Sequence, residues 1–378
     1  MGWKYEKKKQ FLDWRDEKVA TLKVWNSARK SKSIPRNFLI GPTNSAGQAT
    51  GWIAALARSL GIPGDSMRIL SGGPELFDAD IKLDRKNWIG YKAREARGVE
   101  VVAKYSDIFL ESLNPIVGLK SHNGFTSFDG VADLAKFKKY GKKVGAIFHG
   151  SDIRDVDFHI ATNKYSPFKD GGADLEKLRT RSAQNRAAIP ALKEAGIPYF
   201  VTTPDLLHDA PGAKWLPVVI DFAKFNSIAA THPVTTSNSK LRILYLPSSS
   251  WIKSANIIEP ILDKLHKEGT IERIYTESVS NNEVPALIAK ADVVIDQFVG
   301  VAGVLALEAM AAGRMVLTHI EEVFYKDQPL PPVTEVNPEN LEQILRTLEI
   351  DPNQIQAGIA FVSKWHDGRV SAEVLANA

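Results

Sequence analysis

Residues 292–316, Asp-Val-Val-Ile-Asp-Gln-Phe-Val-Gly-Val-Ala-Gly-Val-Leu-Ala-Leu-Glu-Ala-Met-Ala-Ala-Gly-Arg-Met-Val, constrain the fold more than any other part of this chain. An apolar run enters a glycine-bearing loop. A helical pattern with one acid, Glu308, follows and stops at Gly313 before a second apolar run. A buried strand ending in such a loop places the unpaired N–H groups of the next helix's first turn at the carboxyl edge of a sheet. Those donors and the helix dipole suit an anion, a diphosphate among others. Glu308 lies about two turns beyond the loop, where a carboxylate would accept hydrogen bonds from sugar hydroxyls. An ordinary βαβ unit with a solvated Glu308 has the same pattern, so the segment fixes the α/β class before it fixes a ligand.

Short apolar runs alternate with helical patterns elsewhere too, which predicts parallel βαβ architecture. Strands are expected at Phe38–Ile40, Met67–Leu70, Asp107–Glu111, Val144–Phe148, Tyr199–Thr202 and Trp215–Ile220. A second series is expected at Leu241–Leu246, Arg273–Tyr275, Val293–Asp296 and Met315–His319. Between the two series, Asn226–Lys240 is rich in Ser, Thr and Ala and reads as a linker. The expected organisation is a basic leader (1–36), a Rossmann-like half (37–225), the linker (226–240), a second Rossmann-like half (241–356) and a closing helix (357–378) interrupted at Gly368. Two doubly wound halves place a ligand in the cleft facing the carboxyl ends of both sheets.

A chain of 378 residues is comfortable for two such cores. Absence of cysteine excludes a disulfide scaffold, a thiolate metal site and a Cys nucleophile, and makes the cytoplasm the expected compartment. No apolar stretch reaches membrane-span length, and the charged N-terminus does not read as a secretory signal. Charge is uneven: residues 1–36 hold eleven Lys/Arg against four Asp/Glu, although the whole chain is only +4.

Three further segments could carry chemistry. Gly41-Pro-Thr-Asn-Ser-Ala-Gly47-Gln48 follows the first strand and matches neither a dinucleotide fingerprint nor a Walker loop. Its small residues let backbone approach a ligand, or it is a tight turn capped by Asn44 or Ser45. His149 follows an apolar strand and begins His149-Gly-Ser-Asp152-Ile-Arg154, a ligand-facing place in an α/β sheet. Equally, Ser151 or Asp152 caps a helix there. Lys253 stands in the loop after the first strand of the second half, five residues beyond Ser248.

Together these segments resemble those of GT-B glycosyltransferases, specifically the retaining, family-four-like enzymes that use nucleotide sugars. The donor pattern of that family reads Glu, seven residues, Glu, then Ala-Met-Ala-x-Gly-x-Pro-Val. Here Glu308 is the second Glu and Ala309-Met310-Ala311-Ala312-Gly313 follows, while Gly300 replaces the first Glu and Met315 the Pro. Some relatives of the pattern carry Asp-Gln upstream with a glycine at that place, as Asp296-Gln297 and Gly300 do. A His-Gly-Ser-Asp-x-Arg run closes the matching strand in several sugar transferases. The family's Gly-Arg, four residues, Lys-Gly is met here only by Lys253, with Ser248 at the Arg and Ser254 at the second glycine.

The resemblance implies a GT-B fold and a retaining, metal-independent hexosyltransferase with no cofactor beyond its nucleotide diphosphate sugar. By it, Lys253, Glu308 and His149 carry catalysis. Gly47, Gln48, Ser248, Gly300, Val301 and Gly303, with Lys253 and Glu308, hold the donor, and Asn44, Asp152 and Arg154 line the acceptor side. The last helix is expected to cross back to the first half. The acceptor would be a glycan, as in polysaccharide biosynthesis, a lipid-linked sugar or a small molecule. A GT-B epimerase or phosphorylase would use the same cleft.

The leader sets Phe11, Trp14, Leu22 and Trp25 among lysines and arginines, and Lys136, Lys138, Lys139, Lys142 and Lys143 form a second basic cluster. Aromatic and cationic faces of this kind bind anionic membranes. A nucleic-acid contact or a face packed on its own domain fits the leader too.

Overall fold

The computed structural model describes residues 34–70, 77–84, 103–116, 127–234, 240–247, 251–276 and 279–378, with a few isolated residues besides. Most of the leader, including Phe11, Trp14 and Trp25, lies outside the described residues.

The first sheet is built from β1 (Phe38–Gly41), β2 (Gly64–Leu70), β3 (Ile81–Asp84), β4 (Asp107–Glu111), β5 (Lys143–Phe148), β6 (Tyr199–Val201) and β7 (Lys214–Trp215), in the order β3-β2-β1-β4-β5-β6-β7. The second is built from β8 (Arg242–Tyr245), β9 (Glu272–Ile274), β10 (Val293–Ile295), β11 (Met315–Thr318) and β12 (Thr334–Glu335), in the order β12-β11-β10-β8-β9. Every pairing is parallel. The apolar runs have no polar alternation because both faces of each sheet are covered. Leu39, Ile108 and Phe148 face one side layer with Phe137 and Leu192, whereas Phe38, Phe109 and Ile147 face the other with Trp52 and Leu56. Ile243 and Ile295 pack on Ile258 and Leu262; Leu244 and Val294 pack on Met310 and Val362. Full burial of each such side chain contributes about 1.5–3 kcal/mol.

Two expected elements differ. The strand expected over Trp215–Ile220 ends at Trp215, because Pro217 has no N–H for the ladder. Asn226–Thr231, expected in a linker, belongs to the helix Phe222–Thr231. The Asp221 side chain caps that helix at the Lys224 amide, and Phe225 and Ile228 bury into the second core. The chain ends in helices Pro352–Trp365 and Arg369–Ala376. Between them Gly368 takes φ 100°, and a Cβ there would sit 2.6 Å from the Ala55 Cβ. The last helix thereby lies on the first half, with Ala372 and Leu375 in the core around Trp52. Among the described residues, no helix is long and apolar enough to cross a membrane.

Candidate active site at the cleft between the two sheets

Strand order reverses between β1 and β4 in the first sheet and between β8 and β10 in the second. In an open α/β sheet such a reversal opens a crevice at the carboxyl ends of the strands. Each crevice here is organised by a buried carboxylate.

In the first half that carboxylate is Glu111, the last residue of β4, with no exposure to solvent. Its Oε2 accepts hydrogen bonds from the amides of Thr43 (2.9 Å) and Asn44 (2.6 Å), and its Oε1 from the amide of Ser45 (3.2 Å). Oε1 also lies 2.8 Å from His149 Nε2. The turn so held is left-handed at Asn44, Ala46 and Gly47, with φ of 48°, 50° and 72°. The His149 ring stacks on Trp52, and its amide donates to Asp152 Oδ1 at 2.9 Å. Burial opposes charge on both Glu111 and His149. Their mutual hydrogen bond and attraction outweigh it, holding Glu111 below and His149 above its ordinary value.

In the second half the carboxylate is Asp296, just after β10. Its Oδ1 lies 2.6 Å from Lys253 Nζ, and its Oδ2 accepts the Gly303 amide at 2.6 Å. Gly303 is the N-cap of the helix Val304–Ala311, so the ammonium and the helix N-terminus are fixed side by side. The side chain of Glu308, on the same helix, makes no hydrogen bond to a described residue. Burial, reinforced by the Asp296 charge against the Lys224 ammonium, pushes its carboxyl up to about 7.

Gly300 explains the missing acid of the donor pattern. Its φ is 91°, and a Cβ there would lie 2.9 Å from Phe324 Cε2 and 3.0 Å from Glu321 Cγ. A side chain there would be strained by the backbone and would have to displace the Phe324 ring and the Glu321 side chain. Nearby, His159 and Asn163 of the first half tie the halves together: His159 Nε2 donates to the Val299 carbonyl at 2.8 Å and Asn163 Nδ2 to that of Phe298 at 3.0 Å.

Between these two sides lies a cleft of about 470 Å³, bordered by Gly47, Gln48 and Thr50 on one wall and Lys224, Val304 and Glu308 on the other. No protein-family model matches the chain, and no curated protein matches its sequence. Solved structures do match. Sucrose-phosphate synthase from Thermosynechococcus elongatus is similar over 91% of this chain and 98% of its own, at 12% identity and a TM-score of 0.55. A glycosyltransferase from Rickettsia africae covers 91% and 98% at 13% identity and 0.53. HepE of Anabaena, solved with UDP and glucose, covers 90% and 98% at 11% identity and 0.50. The chain has the GT-B fold.

The residues singled out from sequence fall into distinct groups in this GT-B fold. Gly47, Gln48 and Glu308 border the open space. The Gln48 amide is already paired with Val219, accepting from its N–H at 2.6 Å and donating to its carbonyl at 3.3 Å. Asn44 Oδ1 accepts the Thr50 amide at 3.2 Å in the first turn of the neighbouring helix, whose N-cap is Gly47. Lys253 and Gly303 meet at Asp296, and Val301 is buried with Val299, Phe324 and Tyr325. Asp152 supports His149, while Arg154 is directed to buried Asp205, its Nε 3.0 Å from Oδ2. Ser248 lies outside the described residues. In the lysine cluster, Lys138 caps the carbonyls of Ala195 and Gly196, and Lys142 is buried. Sequence reasoning missed Glu111 and the part Asp296 plays. The available signal was a carboxylate closing an apolar strand in an α/β sheet.

Proposed function

We propose that the protein is a glycosyltransferase that moves a hexosyl group from a nucleotide diphosphate sugar to an acceptor with retention of anomeric configuration. The observation that carries this reading is the fixed junction of Lys253, Asp296 and the Gly303 amide at the switch point of the second sheet. An ammonium beside a helix N-terminus stabilises the charge that develops on a departing diphosphate. HepE, of the same fold, was solved with UDP and glucose, which supports a nucleotide sugar as donor.

In this reading, closure of the halves excludes the water that would hydrolyse the donor. Lys253 and the backbone of Gly300–Gly303, with Val301 shaping the loop, receive the diphosphate, and Ser248 is assigned to the donor by the family resemblance alone. Glu308 holds the ribose; half-protonated near neutrality, it both accepts and donates hydrogen bonds. His149 orients the sugar, Gly47 lets backbone approach it, and Asn44, Gln48, Asp152 and Arg154 shape the acceptor wall. The reaction needs no metal in this scheme. The acceptor is a glycan, a lipid-linked sugar or a small molecule. The basic leader places the enzyme at the cytoplasmic face of an anionic membrane.

The test is product analysis with radiolabelled nucleotide sugars, with and without mixed glycan and lipid acceptors, and NMR of the product's anomeric proton. Label transferred with retained configuration is expected. Conversion of the donor alone, independent of acceptor, would instead make the protein an epimerase.

A further inference from the structure

Donor binding does not account for Glu111. A carboxylate offers about four acceptor positions, and here four donors converge on it: the amides of Thr43, Asn44 and Ser45 and the His149 ring. The turn it holds contains two non-glycine residues, Asn44 and Ala46, in left-handed backbone. Such residues persist only where their surroundings fix them. The three amides form a concave array of the kind that captures anions, yet its anion is internal. Asp296 stands in a comparable place in the second half, just after the strand beside the first strand of its sheet, holding Lys253 and the Gly303 amide.

We propose that Glu111 is a positioning residue that sets the first half's wall of the cleft as one unit, fixing the turn Thr43–Gly47 and the His149 ring in register with each other. The substrate it serves rests on the glycosyltransferase reading; the register itself does not. Without Glu111 three buried-side amides lose their acceptor, and the His149 ring, stacked on Trp52 but free at Nε2, loses its orientation. The charged groups facing His149 are Glu111, Asp152 and Arg181, and Glu111 alone among them bonds the ring. The turn therefore keeps its shape before substrate arrives, and the ring is held in one orientation beside it.

Three measurements on the full chain test this. By NMR of histidine-labelled protein, assigned with His149→Gln, His149 in the wild type is expected to titrate above its ordinary 6.5. In Glu111→Gln the midpoint is expected to fall by at least one pH unit. Amide exchange at Thr43–Ser45 is expected to stay slow in His149→Gln and to rise at least tenfold in Glu111→Gln. Transfer by Glu111→Gln is expected to fall at least tenfold in kcat, with donor KM changed less than threefold. An unchanged midpoint, unchanged exchange, or full kcat in Glu111→Gln would overturn the proposal. Should that variant not fold, a wild-type His149 midpoint at or below 6.5 overturns it and one above 6.5 supports it. If no nucleotide sugar is turned over by the wild type, the glycosyltransferase reading fails while titration and exchange still decide the role of Glu111.

Discussion

The Lys253 ammonium lies 2.6 Å from the Asp296 carboxylate, with 13% of the lysine side chain and none of the aspartate side chain exposed. The cation that would meet a diphosphate is thus held by an internal counter-charge. Truncating Lys253 alone leaves a buried, unpaired carboxylate, a loss of about 3–5 kcal/mol. Lys253→Ala is therefore expected to lower both thermal stability and transfer. The double variant Lys253→Ala/Asp296→Asn is expected to regain most of the stability, because an Asn oxygen still accepts the Gly303 amide, while transfer stays at least a hundredfold down. Differential scanning calorimetry beside initial rates checks this; a double variant with near-normal turnover would remove Lys253 from the chemistry.

Glu308 carries a stability signature of its own. Its carboxyl is pushed from 4.5 to about 7 in the folded protein, so the folded state keeps its proton longer than the unfolded state does. Stability accordingly falls as pH rises between those values, and the penalty is fully present above the upper one. Glu308→Gln is expected to stabilise the protein by about 1–3 kcal/mol at pH 8 and by nearly nothing at pH 4, read as urea midpoints. An equal effect at both pH values would contradict the burial of this acid.

Gly300→Glu would restore the acid of the GT-B donor pattern. The positive φ and the contact with Phe324 predict a loss of about 2–4 kcal/mol and no gain in transfer. A variant as stable as the wild type and more active would show that the loop has room for a carboxylate.

His159 is buried, and its burial, with the nearby Arg154 charge, pushes it down to about 4. The Val299 carbonyl accepts from Nε2, so Nδ1 is the nitrogen without a proton and accepts from Ser166. A depressed imidazole favours its neutral form in the folded state, so stability is lost as pH falls from 6.5 toward 4. His159→Gln is expected to flatten that acid limb in urea titrations at pH 7 and 5. A limb as steep as in the wild type would place the acid sensitivity elsewhere, His366 being the next buried imidazole at about 4.

How much of this was legible depended on how local the deciding contacts are. The β10–helix–β11 unit was readable because Val293–Ile295 is covered on both faces and Gly313, at φ 68°, ends its helix. The linker reading of Asn226–Thr231 failed because low charge and many small residues hid two buried anchors and a cap one residue before the helix. Glu111 was invisible as an organiser because its partners stand 38 and 67 residues away. Gln48 reads as a ligand group in sequence, yet its amide pairs 171 residues away with Val219. Strands and glycine stops follow from neighbours along the chain, whereas the identity of a side chain's counter-charge follows from topology.

Isothermal titration of the full chain against UDP, ADP, GDP and CDP and their hexose conjugates tests the central claim most directly. One nucleotide series is expected to bind the wild type with micromolar to millimolar Kd and to bind Lys253→Ala/Asp296→Asn at least tenfold more weakly. No heat from any of these compounds with the wild type, or equal affinity in the double variant, would contradict the assignment of the cleft to a nucleotide diphosphate sugar.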